Sequence, residues 1–424
     1  MLKKNGSSYK FVSFVLVLIL MLSVLAACGG EEEVTPASTA TPSPTAVLTA
    51  TPSPTPPPTP TTTPTPSESK PVKIGAINDW SGPAAVAGLL SDSVIPLVEE
   101  QVKEMGGILG GRPIKVVRFD SRSQTAEAAA GVRKLALEDN VSLIVFGGAT
   151  GSACGATSDA AEEFKILYVD FSPFPSDISQ RQYTVRVSYT DASVTKQAVD
   201  FIQKVIKPKT VALLAQDDAY GRLRMSSFKQ ALKDIGSEVQ IVSEQYPPLD
   251  TMDYSPYLTR VKYDNPDMLY MAFSAHEPYL VVYKQILELG GWGDIKVFSG
   301  SATGASASVT KLPGAKGVYQ WGLWVPGLPA PGARIFEEAY TKKYNKLPES
   351  NHVFFYNALW TAIEAIKLAG TDTDRDKIAQ VARSGQLKWD SPAGPAVFGT
   401  DGEANLQGYI FQVGEGGKLT KIIY

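Results

Sequence analysis

The sequence predicts an α/β protein built from two lobes, each of them a doubly wound parallel sheet. Short apolar runs alternate with segments of helical periodicity along most of the chain. The apolar runs are continuous, which is typical of strands that helices cover on both faces. The alternation starts again after Val187, so two arrays follow one another. Two successive arrays of this kind predict two separate sheets.

The first array contains four predicted strands and three predicted helices. Local signals set the helix ends, because Gly106-Gly107 stops the first helix and Ser123 or Thr125 caps the second. In chain order the elements are strand 72–77, helix 91–105, strand 114–120, a helix ending near 138, strand 142–146, helix 152–164 and strand 166–170.

The second array opens with a helix, because Val194, Ala198, Ile202 and Val205 recur at near-helical spacing. Further elements follow in the order strand 211–215, helix 221–235, strand 239–242, helix 254–263, strand 268–273, helix 277–289 and strand 295–299. Three late helices are predicted over 332–345, 353–368 and 373–384, and strand-like segments over 409–413 and 419–424.

The N-terminus predicts export from the cytoplasm. Lysines at positions 3, 4 and 10 precede an apolar run from Phe11 to Leu25, and small residues then lead into Cys28. This order is that of a secretory signal peptide. A cysteine directly after the small residues resembles the bacterial lipobox, in which the cysteine is lipidated and becomes the mature N-terminus. The alternative, an uncleaved membrane helix, needs about 20 apolar residues and fits less well. We therefore predict a signal peptide over 1–27 and a lipid attachment at Cys28.

Residues 28–70 predict a tether that has no fold of its own. The segment consists almost entirely of Thr, Pro, Ser and Ala, and it has few side chains to bury. Its repeated prolines favour an extended polyproline II conformation of about 3.1 Å per residue. The tether therefore sets reach and carries no chemistry.

The composition of the remainder excludes several classes of protein. About 355 residues exceed what one core usually holds and are typical of two domains. Removal of the signal peptide takes away three lysines and no acid, which changes the net charge from −3 to −6. This charge argues against nucleic acid as a partner. With Cys28 lipidated, Cys154 has no disulfide partner, and two histidines and one thiol predict no zinc site and no cofactor.

Five motifs, in a consistent order, carry a resemblance to a known family. They are the loop Asp79–Gly88 with its Ser-Gly-Pro turn, the turn Gly106–Pro113, the strand end Phe119–Ser121, the loop Gln216–Gly221 with its Tyr-Gly pair, and the segment Leu312–Val318. Together they resemble the type I periplasmic solute-binding proteins of ABC importers, in particular the branched-chain amino-acid branch that includes the leucine-binding protein. The resemblance spans roughly Val72 to Tyr424.

The resemblance implies a lipid-anchored, monomeric solute receptor in which two lobes close on a small molecule and deliver it to an ABC transporter permease. It implies a hinge of three crossings, near 188–190, 320–322 and 398–402. Lobe 1 then comprises residues 71–189 and 322–398, and lobe 2 comprises 190–321 and 399–424. A ligand-sensing subunit of a membrane signalling system is an alternative with the same fold.

The resemblance also implies where the ligand binds. Thr150, Gly151 and Ser152 fall on a loop that holds a ligand carboxylate at a helix N-terminus, where amide groups and the helix dipole favour an anion. The alternative is that Ser152 only caps that helix. Ser172 and Phe174 fall on the next loop of the same lobe. The remaining positions that face the ligand are Trp80, Tyr220, Ser274 and Ser301.

Two departures from the family concern the ligand. Amino-acid binders place an acid opposite the ligand ammonium, whereas this chain has Ser301 there, and a buried ammonium without a counter-charge is costly. Phe174 stands where those binders have a threonine hydroxyl. Either Glu277, Asp217 or Asp218 supplies the charge, or the ligand is not an α-amino acid. Aromatic residues near these loops favour an aromatic acid or another solute with an apolar body.

The motifs of common enzymes are missing from the sequence. Around Ser152 the chain reads Thr150-Gly151-Ser152-Ala153-Cys154, so that a nucleophile elbow lacks the glycine needed two residues before the serine. Neither a dinucleotide fingerprint nor a Walker A sequence is present. Cys154 is expected to be a buried small residue and not a reactive thiolate. The sequence thus predicts a binding protein that is not an enzyme.

Overall fold

The computed structural model describes residues 70–82, 85–148, 151–172, 178–404 and 406–422. Over these residues the protein has two large sheets with helices packed against them, which confirms the predicted fold class. Cys28, Thr150 and Phe174, which have roles in the sequence-based prediction, lie outside the described residues, as do the signal peptide and nearly all of the tether.

The strands that the sequence predicts lie close to their predicted positions, and four further strands are present. They are β1 (Val72–Asn78), β2 (Ile114–Asp120), β3 (Ile144–Phe146), β4 (Tyr168–Asp170), β5 (Thr184–Arg186), β6 (Thr210–Ala215), β7 (Gln240–Gln245), β8 (Met268–Ala272), β9 (Lys296–Ser299), β10 (Tyr319–Gly322), β11 (Lys388–Ser391), β12 (Gly394–Val397), β13 (Tyr409–Val413) and β14 (Leu419–Ile422).

The α-helices connect these strands and cover the sheets. They are α1 (Ala85–Asp92), α2 (Val94–Glu104), α3 (Thr125–Leu137), α4 (Gly151–Glu163), α5 (Asp191–Phe201), α6 (Ala219–Asp234), α7 (Ser255–Asp264), α8 (Glu277–Glu288), α9 (Ala307–Thr310), α10 (Pro331–Tyr344), α11 (Ser350–Ala369) and α12 (Arg375–Ala382).

Sheet 1 has the strand order β2-β1-β3-β4-β5, and all of its pairs are parallel. The register between β1 and β2 runs from Val72 opposite Ile114 to Asn78 opposite Asp120, so the carboxyl ends of these strands share one edge. The strands β3, β4 and β5 are buried at every position. Sheet 1 is therefore a core element whose functional loops emerge at a single edge.

Sheet 2 has the order β14-β13-β10-β9-β8-β6-β7. The strands β6 to β10 pair in parallel, whereas β13 and β14 are antiparallel additions at one side. The helices α10–α12 come between β10 and β13 in sequence, yet α11 packs against β3 and β4 of sheet 1. The C-terminal third of the chain thus contributes to both halves of the molecule. The boundaries given above for the two lobes stay a prediction.

Several elements differ from the sequence-based prediction. The helix expected over 91–105 is α2, which starts later, at Val94, and the additional helix α1 precedes it and begins at Ala85, inside the predicted loop 79–88. The short strands β5 and β10 and the β11–β12 hairpin were not signalled, because they are only three or four residues long and contain residues such as Arg186 and Gln320. The helix α3 follows Gln124, and neither Ser123 nor Thr125 caps it as expected.

In each half of the molecule, a glycine allows a helix to pack closely against the loop before it. A Cβ atom on Gly88 would lie 2.0 Å from the carbonyl oxygen of Asp79, and one on Gly221 would lie 2.1 Å from that of Gln216. No side chain fits at such distances, so the glycine is a condition of the close helix–loop packing. These are the glycines of two of the five motifs, and their role is structural.

A buried ion pair joins the end of β5 to the returning C-terminal segment. Arg186 donates from Nε and Nη2 to the two carboxylate oxygens of Glu403, at 2.8 and 2.7 Å. Their side chains are only 1% and 9% exposed. The backbone of Arg186 also pairs with Gly402 and Ala404 on either side of that glutamate. The pair therefore fastens two distant parts of the chain side by side.

Removal of one partner should be costly, because it leaves the other charge buried and unpaired. We expect Glu403→Ala to lower the free energy of unfolding by about 3–5 kcal/mol, measured by urea unfolding of the purified protein. Glu415→Ala is the matched control, since its ion pair with Lys316 is exposed, and it should leave the free energy of unfolding nearly unchanged. Equal effects of the two substitutions would contradict this assignment.

Candidate functional site

The carboxyl edges of the two sheets face each other. The helix α11, packed on sheet 1, contacts the turn Ala302–Ala305 that follows β9 of sheet 2. The ring of Phe354 on α11 lies 6.0 Å from that of Tyr189, whose ring in turn lies 4.5 Å from that of Trp321 on β10. We call the loops at these facing edges the cleft, because open parallel sheets bind ligands beyond the carboxyl ends of their strands.

Trp80 lies in the loop that follows β1 and is half-buried. The guanidinium of Arg118 lies 5.6 Å from the centre of its ring. The next residue, Ser81, donates from its hydroxyl to Asp120 at the end of β2, at 2.7 Å. Burial by itself raises the pKa of Asp120, but the hydrogen bonds from Ser81 and Arg122 outweigh it and lower that pKa. This loop is therefore held in place by a charged carboxylate, with the indole at its rim.

Ser152 lies within the first turn of α4, because the helix begins at Gly151. The alternative that Ser152 only caps this helix is therefore wrong, because Ser152 lies inside it. The side chain is exposed, and its hydroxyl oxygen lies 3.4 Å from that of Thr125. The N-terminus of α4 thus points its first amides toward the cleft edge of sheet 1, as an anion site requires.

Ser172 is buried, and its hydroxyl belongs to a polar network inside the first half of the molecule. Asp170 accepts from the Ser172 amide and hydroxyl, both at 2.9 Å, and from the Tyr168 hydroxyl at 3.0 Å. The thiol of Cys154 lies 3.3 Å from the same serine hydroxyl and is buried. Burial raises the pKa of Cys154 to about 12, so it is not a thiolate at neutral pH. The Ser172 hydroxyl is thus engaged below the cleft surface.

Tyr220 and Ser301 lie together on the side of sheet 2. Tyr220 is half-buried at the start of α6, and its hydroxyl lies near Ser301, which is buried. The hydroxyl of Ser301 also lies 2.8 Å from that of Thr303. Burial raises the pKa of Tyr220, although Arg224 and Ser301 oppose the shift. This corner therefore presents neutral hydroxyls at neutral pH.

Ser274 is exposed at the end of β8 and is positioned by two neighbours. Its hydroxyl is hydrogen-bonded to Gln216 at 2.9 Å and to Asp218 at 2.6 Å. Asp218 also caps α6 through the amide of Gly221. Asp217 forms an exposed ion pair with Arg222 at 2.7 Å, and Glu277 is exposed at the start of α8. Asp217 and Asp218, two of the three acids considered as ammonium partners, are therefore already engaged.

A buried arginine beneath this corner was not predicted. Arg224 is 1% exposed; its Nη1 donates to Asp191 at 2.7 Å, and its Nη2 donates to the carbonyl of Gly300. Its Nε is buried without a hydrogen-bond partner among the described residues. Burial alone lowers the pKa of Arg224, but Tyr270, Tyr220 and Asp191 outweigh it and raise that pKa. A permanently charged guanidinium is therefore buried directly beneath this corner.

The sequence contained a signal for Arg224 that is visible in retrospect. The buried residues of α6 include Arg224, Met225, Phe228 and Leu232, which recur at helical spacing. A basic residue within such an apolar stripe is uncommon and usually paired or functional. The guanidinium acts on the Tyr220 hydroxyl more strongly than the Asp191 carboxylate does. The paired carboxylate of Asp191 and the nearby Asp218 act on the same hydroxyl with the opposite sign, so the cation is largely balanced within the protein.

No group of three or more metal-ligating side chains occurs in the described part of the chain. Within the same residues, no helix combines the length and the apolar character that a membrane crossing needs. The geometry of the cleft is that of a binding site made of hydroxyls, aromatic rings and helix starts.

Comparison with known proteins identifies the family. The periplasmic binding protein family model matches residues 71–418, and the chain belongs to this family. Its members are solute-binding proteins and not enzymes, and the family implies an extracytoplasmic location. The resemblance inferred from the five motifs is thereby confirmed.

Individual relatives show the same relationship. The Leu/Ile/Val-binding protein BraC3 of Rhizobium johnstonii is 23% identical over 367 residues, which cover 82% of this chain and 93% of the relative. A leucine-binding protein of Thermotoga maritima superposes with a TM-score of 0.70 at 23% identity, covering 83% of this chain and 98% of that one. A solute-binding protein of an ABC transporter from Rhodopseudomonas palustris, in complex with 3,4-dihydroxybenzoic acid, superposes with a TM-score of 0.70 at 25% identity, covering 83% and 96%.

The buried Asp170 should make stability depend on pH. Burial, opposed by Ser172 and by the charge of Arg186, raises the pKa of Asp170 to about 6. Because the folded state holds this proton more tightly than the unfolded state, the stabilisation is complete below about pH 4 and is lost as the pH rises through about 6. Asp170→Asn keeps an acceptor and cannot ionise, so the variant should gain about 2–3 kcal/mol relative to the unmodified protein between pH 4 and pH 7.

Urea unfolding at several pH values measures this difference. Asp267→Asn is a control of opposite sign, because backbone amides of Thr210 and Lys209 lower the pKa of Asp267. That variant should lose stability relative to the unmodified protein as the pH rises. A flat difference curve for Asp170→Asn would refute the assignment.

Proposed function

We propose that this protein captures a small organic carboxylate with an aromatic or apolar body and delivers it to an ABC importer from outside the cytoplasm. The observation that carries the proposal is a serine in place of an acid on the side of sheet 2. Amino-acid binders need an acid there, and this chain places the buried Ser301 at that position, with the ion pair of Arg224 and Asp191 beneath it. A buried ammonium without a counter-charge is costly, whereas a carboxylate can accept hydrogen bonds from hydroxyls.

The chemistry of the surrounding residues supports the same ligand class. The start of α4 with Gly151 and Ser152 offers amides and a hydroxyl to a carboxylate, and the adjoining Thr150 is proposed to add a second hydroxyl. The half-buried rings of Trp80 and Tyr220 provide aromatic surface, and Phe174 is proposed to do the same. Ser172 is proposed to contribute through its backbone, and Ser274 as a polar group at the opening.

The names of the relatives cover both ligand classes. One relative is named for Leu, Ile and Val, whereas the solute-binding protein from Rhodopseudomonas palustris holds 3,4-dihydroxybenzoic acid. Ser301 in place of an acid favours the second class. We propose that the two lobes close on the ligand about the three crossings inferred above, and that the closed state is recognised by the permease.

A calorimetric panel tests the ligand class. The purified protein is titrated with 3,4-dihydroxybenzoate, benzoate, leucine and isoleucine. The aromatic carboxylates should bind more tightly than the amino acids. Tightest binding of leucine would contradict the proposal and would assign the missing negative charge to an acid such as Glu277.

The double substitution Thr150→Ala with Ser152→Ala tests the carboxylate loop. Loss of two hydroxyl donors that a bound ligand is proposed to cover should weaken binding of the best aromatic carboxylate by about 1–3 kcal/mol, with the fold unchanged by circular dichroism. Thr125→Ala is a matched control, since it removes a hydroxyl next to Ser152 on the adjacent helix and should have a smaller effect. Unchanged affinity in the double variant would move the site away from this loop.

The role of Arg224 is tested by removing both charges of its ion pair. In Arg224→Met with Asp191→Asn no charge is left unpaired, so the fold should persist. We expect 3,4-dihydroxybenzoate to bind about five- to tenfold more weakly, and its neutral analogue 3,4-dihydroxybenzamide to bind with little change. An equal loss for acid and amide would indicate a packing defect and not an electrostatic contribution.

We also propose that Cys28 is lipidated and anchors the protein to the membrane through the tether, on the basis of its lipobox-like context. Cys28→Ser should accumulate as an unprocessed precursor that incorporates no labelled fatty acid. Normal processing and acyl labelling of this variant would exclude lipidation at this residue.

A further inference from the structure

His276 lies where the two halves of the molecule meet. It directly precedes α8 and stands two residues beyond Ser274 of the cleft. Its backbone carbonyl accepts from the amides of Tyr279 and Leu280, at 3.0 and 3.3 Å, so the start of α8 fixes its position. The imidazole is half-buried, and its Nε2 is buried without a hydrogen-bond partner among the described residues. A buried polar atom in that state is costly.

The start of α11, which packs on sheet 1, lies close to His276. The carboxylate of Glu349, directly before α11, acts on the imidazole. The turn Ala302–Ala305 explains this proximity, because it contacts α11 and is also bound to the segment that carries His276. Within that turn Thr303 donates from its hydroxyl to the carbonyl of Phe273, at 3.0 Å. Separation of the two halves therefore moves α11 away from this turn and opens the start of α8 to water.

Burial and two carboxylates decide the charge of the imidazole. Glu349 is half-buried on the opposite half, whereas Glu277 is exposed next to His276 on α8. Burial lowers the pKa of His276, and Glu349 and Glu277 oppose the shift without cancelling it. The elements packed elsewhere on α8, which are α7, α9 and the turn Pro313–Ala315, add no charge that acts on it in the described part of the chain. In this arrangement His276 is therefore neutral at neutral pH.

The other histidine of the chain has a purely structural setting. His352 lies in the first turn of α11 and is buried. Its Nδ1 accepts from the amide of Glu349 at 2.9 Å, and its Nε2 lies 2.9 Å from the hydroxyl oxygen of Tyr340 on α10. Burial lowers the pKa of His352 to about 4. The sequence has two histidines, so His276 is the one that can respond between pH 5 and pH 8.

We propose that His276 makes closure of the two lobes sensitive to pH: its neutral imidazole is covered when the lobes meet, and its protonation favours their separation. When the lobes separate, the imidazole gains water and its pKa returns toward the ordinary value of about 6.5. The closed arrangement then holds this proton less tightly than the open one. Closure is consequently unaffected above about pH 6.5 and becomes less favourable as the pH falls below that value. The inference rests on the lobe closure proposed above and not on the class of ligand.

The affinity for 3,4-dihydroxybenzoate, titrated calorimetrically from pH 8 to pH 5, tests the switch. It should fall by about threefold or more in the unmodified protein and stay nearly constant in His276→Gln, whose side chain is polar and cannot be protonated. Asp170→Asn is the matched control, because the pKa of Asp170 is also about 6 but its carboxyl is buried within the half of sheet 1. That variant should keep the loss. A loss that persists in His276→Gln, or one abolished by Asp170→Asn, would overturn the proposal.

Glu349→Gln tests the direction of the effect. Without this carboxylate a protonated His276 loses a favourable neighbour, so the loss of affinity between pH 8 and pH 5 should become larger. Glu138→Gln, an exposed acid at the end of α3, is the control and should leave the loss unchanged. A smaller loss in Glu349→Gln, or tighter binding by the unmodified protein at pH 5, would contradict the proposal, because protonation would then strengthen closure.

Small-angle X-ray scattering of the full protein without ligand separates this inference from the proposed ligand class. The radius of gyration should increase from pH 8 to pH 5 in the unmodified protein and not in His276→Gln. Failure of 3,4-dihydroxybenzoate to bind at any pH would contradict the ligand class alone, and the scattering would still decide the switch. An equal response of the two proteins would refute it.

Discussion

The buried pair between Arg186 and Glu403 is the interaction on which the arrangement of the two halves depends. Arg186 ends the last strand of sheet 1, just before the chain passes to the second array, and Glu403 belongs to the segment that returns toward β13. Because both charges are withdrawn from water, each requires the other in place. The charge of the same guanidinium opposes the rise in the pKa of Asp170. The hydrogen-bond partner of Asp170, Ser172, begins a cleft loop. The pair thus links the passage between the sheets to the geometry of the binding loops.

The two sides of the cleft are chemically different. The side of sheet 1 offers a helix start and exposed hydroxyls, which can adapt to a ligand, whereas the side of sheet 2 offers Tyr220 and Ser301 above a fixed cation. A guanidinium that is buried behind hydroxyls acts through its field and costs no reorganisation when a ligand enters.

The structural role of the glycines in the family motifs is seen only in the three-dimensional structure. Gly88 and Gly221 look alike in sequence because both follow a strand and a turn, and in the structure both admit a carbonyl oxygen at a distance that excludes any side chain. Thr150 and Phe174 are predicted from the sequence to face the ligand. They lie outside the described residues, and their contribution stays a prediction. Ser152 does not cap α4, because the helix begins one residue before it.

The sequence by itself determined the class of fold, the family and most of the long elements, because buried parallel strands and amphipathic helices impose periodicities that are local in the chain. It also predicted which loops form the cleft, since these follow directly from the strand ends, and that assignment stays a prediction. Only the tertiary structure decided the partners of the charges. Arg224 meets Asp191, 33 residues away, and Arg186 meets Glu403, 217 residues away, and no local pattern encodes such pairings. The buried charges near the cleft and between the two halves follow from these long-range contacts, and for that reason the sequence alone could not give them.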